Sequence, residues 1–271
     1  MPELAEVEFH RKHWNPGIGK RIESVFVRQG KRVFRRTNVR RLVEGLTGAK
    51  LLGSETHGKQ MLFRFSGPGA LGVHLGMTGS LSVEPKNHRP EKHDHLVLWT
   101  RKHALVFNDP RLFGEVRFEP EPSPLWWRTL PPQILDPEFT LRHMSDFLDR
   151  RSRSPIKAVL LDQAGFPGVG NWMADEILWR AGIHPSRLAG SLERSERIAI
   201  RRIARWVCRT ALDTIGVDYR DPPRSWLFPH RWEDGGICPR TKVPLVRETI
   251  GGRTTCWSPG RQPSPRRLRR T

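Results

Sequence analysis

The sequence predicts an α+β fold: a helix-capped antiparallel β-sandwich in the N-terminal part, then a helical C-terminal part. Three observations carry this expectation. Short stretches of alternating apolar and polar residues, bounded by Gly and Pro, fill the first half of the chain and mark half-buried antiparallel strands. A Pro-rich stretch from Pro120 to Pro137 interrupts them as a hinge would. Beyond it, Ala199, Ile203, Val207, Ala211 and Ile215 recur every four residues, the stripe of a long amphipathic helix. The 271 residues accordingly divide into a β-sandwich domain (1–135), a helical domain (136–218), a Gly/Pro-broken region (219–262) and a basic tail (263–271).

Each element has a local reason. Residues 3–14, ELAEVEFHRKHW, suit one amphipathic helix. Met61, Phe63 and Phe65 alternate with Leu62 and Arg64; Val73, Leu75 and Met77 repeat the period; Val116 and Phe118 alternate with Glu115, Arg117 and Glu119. A helical piece, Val39 to Leu46, interrupts the strands. In the second half, Leu141 to Leu148 and Pro155 to Leu161 read as short helices, the latter with Pro in its first turn. GVGNWMADEIL (168–178) opens another helix, and AGIHP (181–185) ends it and turns the chain towards the next, giving a helix–two-turn–helix. The terminal RQPSPRRLRRT holds five arginines and no acid, and is expected to be disordered.

Charge points to the partner. A formal net charge of +19 and a pI near 11.2, from 47 Lys and Arg against 28 Asp and Glu, suit a polyanion. The bland alternative is a ribosome-associated or merely basic protein. No run of eighteen apolar residues predicts a membrane span, and no secretory leader is apparent. Cys208, Cys238 and Cys256 are odd in number and widely spaced, which argues against a disulfide framework. The expectation is an intracellular nucleic-acid binder, cytoplasmic or at the nucleoid.

The chain starts Met1-Pro2-Glu3. Removal of the initiator Met exposes the secondary amine of Pro2, which titrates near ~8 and is partly unprotonated at neutral pH, able to attack an electrophilic carbon. Glu3 and Glu6 offer carboxyl groups beside it. Two Gly-punctuated turns follow: HLGMTGSL (74–81) presents Met77, and FNDPRLFGEVRF (107–118) presents Arg111 and Phe113. Such apolar residues are usually core anchors. On turn tips of a basic protein, they are also what a DNA-kinking protein inserts between bases. Lys59, in HGKQMLFRF, starts a strand near that surface; the alternative is a solvated turn lysine. Asn171 follows two glycines at a helix start, where it either binds phosphate or merely caps the helix.

These motifs, in this order, resemble those of the formamidopyrimidine-DNA glycosylases and their endonuclease VIII-like relatives. PELAEVE looks like the family's PELPEVE start, and HLGMTGSL, KHDHL, NDPRLFG and GVGNWMADEILWRAGIHP follow. The resemblance runs from Pro2 to about Gln262. It implies that Pro2 attacks C1′ of a damaged nucleotide, that Glu3 is the general acid/base and Glu6 the second acid of the motif. It further implies that Lys59 and Asn171 contact phosphate, and that Met77, Arg111 and Phe113 fill the hole left by the flipped base. The implied partner is double-stranded DNA with damaged bases or abasic sites, bound by a monomer, with no membrane. Ala5 stands where the family usually has Pro.

Family members commonly end in a four-cysteine zinc finger. Residues 238–262 align with it, but only Cys238 is kept: Thr241, Ser258 and Arg261 occupy the other ligand positions, and Cys256 is two residues off register. One thiolate cannot build a tetrahedral zinc site, and His230 is the only imidazole expected nearby. The resemblance therefore implies a zincless-finger β-hairpin without a cofactor, held by Leu245, Val246, Ile250 and Trp257, with Arg253 at its tip as the phosphate-binding arginine. Three functions stay open: a bifunctional glycosylase and abasic-site lyase favouring formamidopyrimidine and 8-oxoguanine; a non-catalytic lesion binder; or a relative specialised for oxidised pyrimidines, abasic sites or crosslinks. The segment 219–232 lies where the family's base-capping loop would be and does not resolve the choice.

Overall fold

A computed structural model describes residues 2–67 and 69–264. Met1 and most of the basic tail, from residue 265 on, lie outside the described residues, so the expectations placed on them are not addressed. The chain divides into two compact units, Met1–Leu130 and Pro131–Thr271.

The first unit comprises α1 (Leu4–Lys12), β1 (Ser24–Val27), α2 (Val39–Leu46), β2 (Leu51–His57), β3 (Gln60–Phe65), β4 (Ala70–His74), β5 (Ser80–Pro85), β6 (Asp94–Trp99), β7 (His103–Asn108), β8 (Glu115–Glu119) and α3 (Leu125–Arg128). The strands form two antiparallel sheets, ordered β1-β6-β7-β5 and β2-β3-β4-β8. Between them pack Met61, Phe63, Phe65, Leu71 and Val73 from one sheet and Leu96, Leu98, Leu105 and Phe107 from the other. Trp14, just past α1, lies 4.7 Å from the Phe63 ring and donates its indole N–H to Ser82 O and Val106 O. α1 buries Leu4, Ala5 and Val7.

Two alternations end differently from expectation. Leu62 is fully buried although it lies on the outer face of its sheet. It pairs with Gly72, where an added Cβ would meet the Trp126 ring at 2.6 Å, so α3, inside the expected hinge, covers that face. The period through Val73 and Leu75 does not reach Met77: β4 stops at His74, and Met77 lies in a turn.

The second unit contains α4 (Leu141–Arg150), α5 (Ile156–Leu160), α6 (Asn171–Ala181), α7 (Arg194–Asp213), α8 (Ile215–Asp218) and a hairpin of β9 (Val246–Ile250) and β10 (Arg253–Trp257). Val207 and Ala211 of the expected series are buried, but the rest of the buried stripe of α7 is Ile200, Ala204 and Cys208, with Ala199 and Ile203 only half-buried. A helix turns about 100° per residue, so a spacing of four drifts about 40° each step and leaves the face within a few turns. Ile215 is buried in the separate α8, beyond a break at Thr214. α6 ends at Gly182, whose φ of 71° lets the chain reverse, and the turns after it lead to α7. Gly251 and Gly252, with φ of 61° and 74°, make the tight turn of the hairpin. Among the described residues no helix is long and apolar enough to cross a membrane.

α6 is buried nearly all round, and its two acids are paired accordingly. Glu176 accepts from Leu227 N–H (2.8 Å), Phe228 N–H (3.2 Å) and Arg180 Nε (2.6 Å). Burial pushes its carboxyl up to about 7, against the pull of Arg180 and the two backbone donors. The folded state therefore holds a proton that the unfolded chain has lost above pH 4.5. The resulting stabilisation is full below 4.5 and disappears as pH rises through 7. Relative to a Glu176→Gln variant, the wild type should lose on the order of 3 kcal/mol of unfolding free energy across that interval, measurable by denaturant titration. Parallel pH profiles would exclude Glu176 as the cause.

Candidate active site

The first unit gathers its candidate residues at one end of the sandwich. Pro2 precedes α1, and Glu3 is the N-cap, only 3% exposed. A reciprocal capping box joins two of the candidates. The Glu3 carboxylate accepts from Glu6 N–H, and the Glu6 carboxylate accepts from Glu3 N–H at 3.2 Å. The box holds the Glu3 carboxylate over the first turn of α1, on the residue that follows Pro2. Farther along α1, Arg11 donates to Ser54 Oγ (2.7 Å), and Glu8 accepts from Thr56 Oγ1 (2.9 Å). The helix thus runs antiparallel to β2, with its N-terminus towards the tip of the β2–β3 hairpin.

Gly58, at φ 59°, and Lys59 form that tip, between the paired His57 and Gln60. Lys59 is only 8% exposed, which rules out the solvated turn lysine. Gln60 pairs with His74 on the next strand. Burial, then the charge of Lys59, holds His74 down to about 4, so its ring is neutral near pH 7 and its Nδ1 accepts from Gly76 N–H at 3.1 Å. The sequence reading passed over His74; its only signal was a polar ring at a strand end inside HLGMTGSL.

Register brings the two turns together. β4 pairs with β8 through His74 and Glu115, and β5 pairs with β7 through Ser80 and Asn108. Residues 75–79 and 109–114 are therefore two crossovers between the same pair of sheets, side by side. They touch so closely that a Cβ on Gly76 would lie 2.4 Å from the Phe113 carbonyl carbon. Met77 is half-buried on one crossover; Arg111 and Phe113 are exposed on the other, the guanidinium 4.9 Å from the ring centroid. Leu112, between them, has a φ of 59°. Asp109 bridges the crossovers, accepting from Thr78 Oγ1, Arg111 N–H and Gly114 N–H.

The second unit holds the remaining candidates. Asn171 is the first residue of α6 and not its cap: Gly170 occupies the cap position, and Asn171 Nδ2 donates to Thr254 O on β10 at 2.8 Å. Asn171 thereby adjoins the hairpin whose β10 starts at exposed Arg253. The Gly251 turn rests on α5, where a Cβ would meet Ala158 at 2.7 Å.

The four finger positions lie in one neighbourhood, and their chemistry does not suit zinc. Cys238 Sγ accepts from Trp179 Nε1 (3.4 Å) and Thr241 N–H (3.5 Å), and Thr241 Oγ1 lies 3.3 Å from Ser258 Oγ. Burial pushes the Cys238 thiol up, but hydrogen bonds from Ser258, Thr241 and Trp179 outweigh it and bring it down to about 7. Arg261, a cation, donates to Trp179 O and Arg180 O at 2.9 Å each and sits over the Trp179 ring. One sulfur, two hydroxyls and a guanidinium make no tetrahedral N/S set. Cys256 shares one buried cluster with Trp179, Leu227, Cys238 and Leu245; burial, then the charge of Asp175, pushes its thiol up to about 12, and its N–H donates to Asp175. His230 bonds Arg224 O, and it is not the only imidazole near the hairpin, since His184 packs edge-on to Trp257, ring centroids 4.2 Å apart. Leu245, Ile250 and Trp257 are buried as expected, while Val246 is only half-buried.

Comparison with known proteins follows the same two units. The formamidopyrimidine-DNA glycosylase N-terminal domain matches residues 1–116, and the formamidopyrimidine-DNA glycosylase H2TH domain matches residues 130–220. The formamidopyrimidine-DNA glycosylase of Carboxydothermus hydrogenoformans is 34% identical over 269 residues, covering 96% of this chain and 98% of that protein. That of Syntrophotalea carbinolica is 35% identical over 271 residues, covering 94% and 97%. Among solved structures, wild-type Lactococcus lactis Fpg in complex with an N7-benzyl-Fapy-dG containing DNA is 26% identical, with a TM-score of 0.86 over 97% of this chain and 100% of that one. The Lactococcus lactis formamidopyrimidine-DNA glycosylase non-covalently bound to an AP-site containing DNA gives 25% identity and a TM-score of 0.85 at the same coverage. With both family domains present in order and curated relatives matched nearly end to end, this chain belongs to the formamidopyrimidine-DNA glycosylase family.

Proposed function

We propose that this enzyme excises damaged bases from double-stranded DNA in base excision repair and then cuts the strand, with formamidopyrimidines and 8-oxoguanine as its preferred substrates. The observation that carries the reading is a buried carboxylate, Glu3, the residue after Pro2, held by the capping box at the end of the sandwich that also bears Lys59 and the two crossovers. The relatives' names and the Fapy-dG and AP-site DNA of the solved neighbours support the substrate class.

Each step answers a physical need. A damaged base inside a duplex has to be flipped out, at a cost of a few kcal/mol, and Met77, Arg111 and Phe113 offset that cost by filling the gap. With Met1 removed, the Pro2 nitrogen bonds to C1′; the glycosidic C–N bond breaks, and its electron pair leaves with the base, which takes up the proton that the Pro2 nitrogen gives up. Glu3 protonates the sugar ring oxygen as the ring opens, leaving an iminium between Pro2 and C1′. The iminium acidifies C2′–H. Loss of that proton expels the 3′ phosphate by β-elimination, and a second, δ-elimination expels the 5′ phosphate. Water then hydrolyses the iminium and frees Pro2. Lys59, Asn171 and Arg253 hold backbone phosphates; the Asn171 amide carries a second hydrogen besides the one given to Thr254. The protein works as a monomer at the chromosome, inside the cell, without a cofactor.

Borohydride should trap the wild type on abasic duplex DNA, with the adduct mapped to the Pro2 peptide by mass spectrometry. Incision of duplexes carrying formamidopyrimidine and 8-oxoguanine should be faster than of those carrying thymine glycol or dihydrouracil. Base release with no adduct would replace this mechanism by simple hydrolysis. Because no metal ties the hairpin, a chelator should leave the incision rate and melting temperature unchanged; a rate restored only by added zinc contradicts the metal-free finger.

A further inference from the structure

We propose that Asp109 is the positioning residue that locks Met77, Arg111 and Phe113 into one preformed wedge, and that Thr78 is its link to the Met77 crossover. The inference rests on the function proposed above and adds to it the part that prepares the protein for base extrusion.

Asp109 is fully buried, and among the described residues the hydrogen bonds its carboxylate accepts come from the two crossovers. Oδ1 takes Thr78 Oγ1 at 2.9 Å and Arg111 N–H at 3.2 Å; Oδ2 takes Gly114 N–H at 2.7 Å. One bond therefore fixes the residue after Met77, and the other two bracket Leu112 and Phe113 from both sides. The aspartate is itself rooted in the sheet behind. Its N–H donates to His93 O at 3.0 Å, and its carbonyl accepts from His95 Nε2 at 2.9 Å. The preceding Asn108 donates to Asp94 Oδ1 at 2.8 Å, while Asp94 Oδ2 bonds His88 Nε2 and Glu91 N–H at 2.9 Å each. The motif KHDHL, which supplies no reacting group, thus becomes the foundation of the wedge.

The energetic argument concerns when order is imposed. A turn that became ordered only on entering DNA would lose conformational entropy with every residue it fixed, and that loss would weaken extrusion. Asp109 imposes the order before DNA is met. Gly76 permits the close approach, since any side chain there would strike the Phe113 backbone. The Arg111 guanidinium over the Phe113 ring joins the two side chains of the wedge.

Thr78→Val, which keeps the shape and removes the hydroxyl, should lower excision from lesion duplex by about tenfold, and Thr78→Ser should restore it. Asp109→Asn, which swaps one acceptor oxygen for a donor, should lower it by about a hundredfold. Borohydride trapping on single-stranded abasic DNA, where no base stack has to be replaced, should stay within about twofold of wild type for Thr78→Val. Equal losses on duplex and single strand, or a Thr78→Val enzyme as fast as wild type on duplex, would overturn the positioning role. Wild type that forms no adduct on either DNA would instead sink the underlying function, a distinct outcome.

Discussion

Glu3→Gln should lower base excision by about 10²–10⁴-fold, the usual worth of a positioned proton donor, while the fold stays intact. The substitution is nearly isosteric, and its amide oxygen still accepts Glu6 N–H, so the first turn of α1 keeps its cap. What disappears is the ability to take and return a proton beside Pro2. Preformed abasic DNA should suffer less, because its sugar already opens to an aldehyde without breaking a glycosidic bond. Glu6→Gln makes the control. Its amide oxygen still accepts Glu3 N–H, the bond seen at 3.2 Å, so its rate should fall far less. Glu6→Ala abolishes that bond and should cost about 1 kcal/mol of helix stability. Single-turnover kinetics on a lesion duplex separate these variants, and a Glu3→Gln enzyme at wild-type rate would move the acid/base role to another residue.

The sequence disclosed those parts of the site whose signal is local. Pro2 and Glu3 are adjacent, the crossovers carry Gly punctuation, and Thr241, Ser258 and Arg261 can be read directly at the expected finger positions. The strands and helices were legible where one face meets one core. Leu62 was misleading because α3 covers the opposite face. The α7 stripe was misplaced because a four-residue spacing is close to the helical period without matching it. What could not be read was convergence. Asn171 meets Thr254 across 83 residues of chain, and the crossovers meet only because two strand registers align. His74, Thr78 and Asp109 resembled ordinary turn residues, since a polar side chain reveals its partners only after folding. The contacts of Cys238 and Arg261 with Trp179 were equally hidden, although the residue types at the expected finger positions were not.

Asp175→Asn should destabilise the second unit by about 3–5 kcal/mol, the range for a buried charge left without its partner. Asp175 is fully buried on α6 and holds two buried cations, Lys157 and Arg231. Oδ1 accepts from Lys157 Nζ, while Oδ2 accepts from Arg231 and from Cys256 N–H at 3.0 Å. An asparagine keeps the volume but supplies no negative charge, so Lys157 and Arg231 would face one another uncompensated. The damage should extend to DNA. Cys256 N–H ties β10 to α6 beside the bond from Asn171 to Thr254 O, and Lys157 also donates to the Asn171 carbonyl at 2.8 Å. Loosening both leaves the hairpin bearing Arg253 tied to the helix bearing Asn171 by the Asn171–Thr254 bond, with Asn171 itself shifted. Duplex affinity should fall, and the slope of log affinity against log salt should shrink by about one phosphate contact. Replacing Lys157, Asp175 and Arg231 together by apolar residues of similar volume should recover much of the stability, because no unpaired charge remains. Recovered stability without recovered affinity would mean that the network's contribution to DNA binding is orientation of the hairpin; recovery of both would leave hydrophobic packing sufficient to orient it.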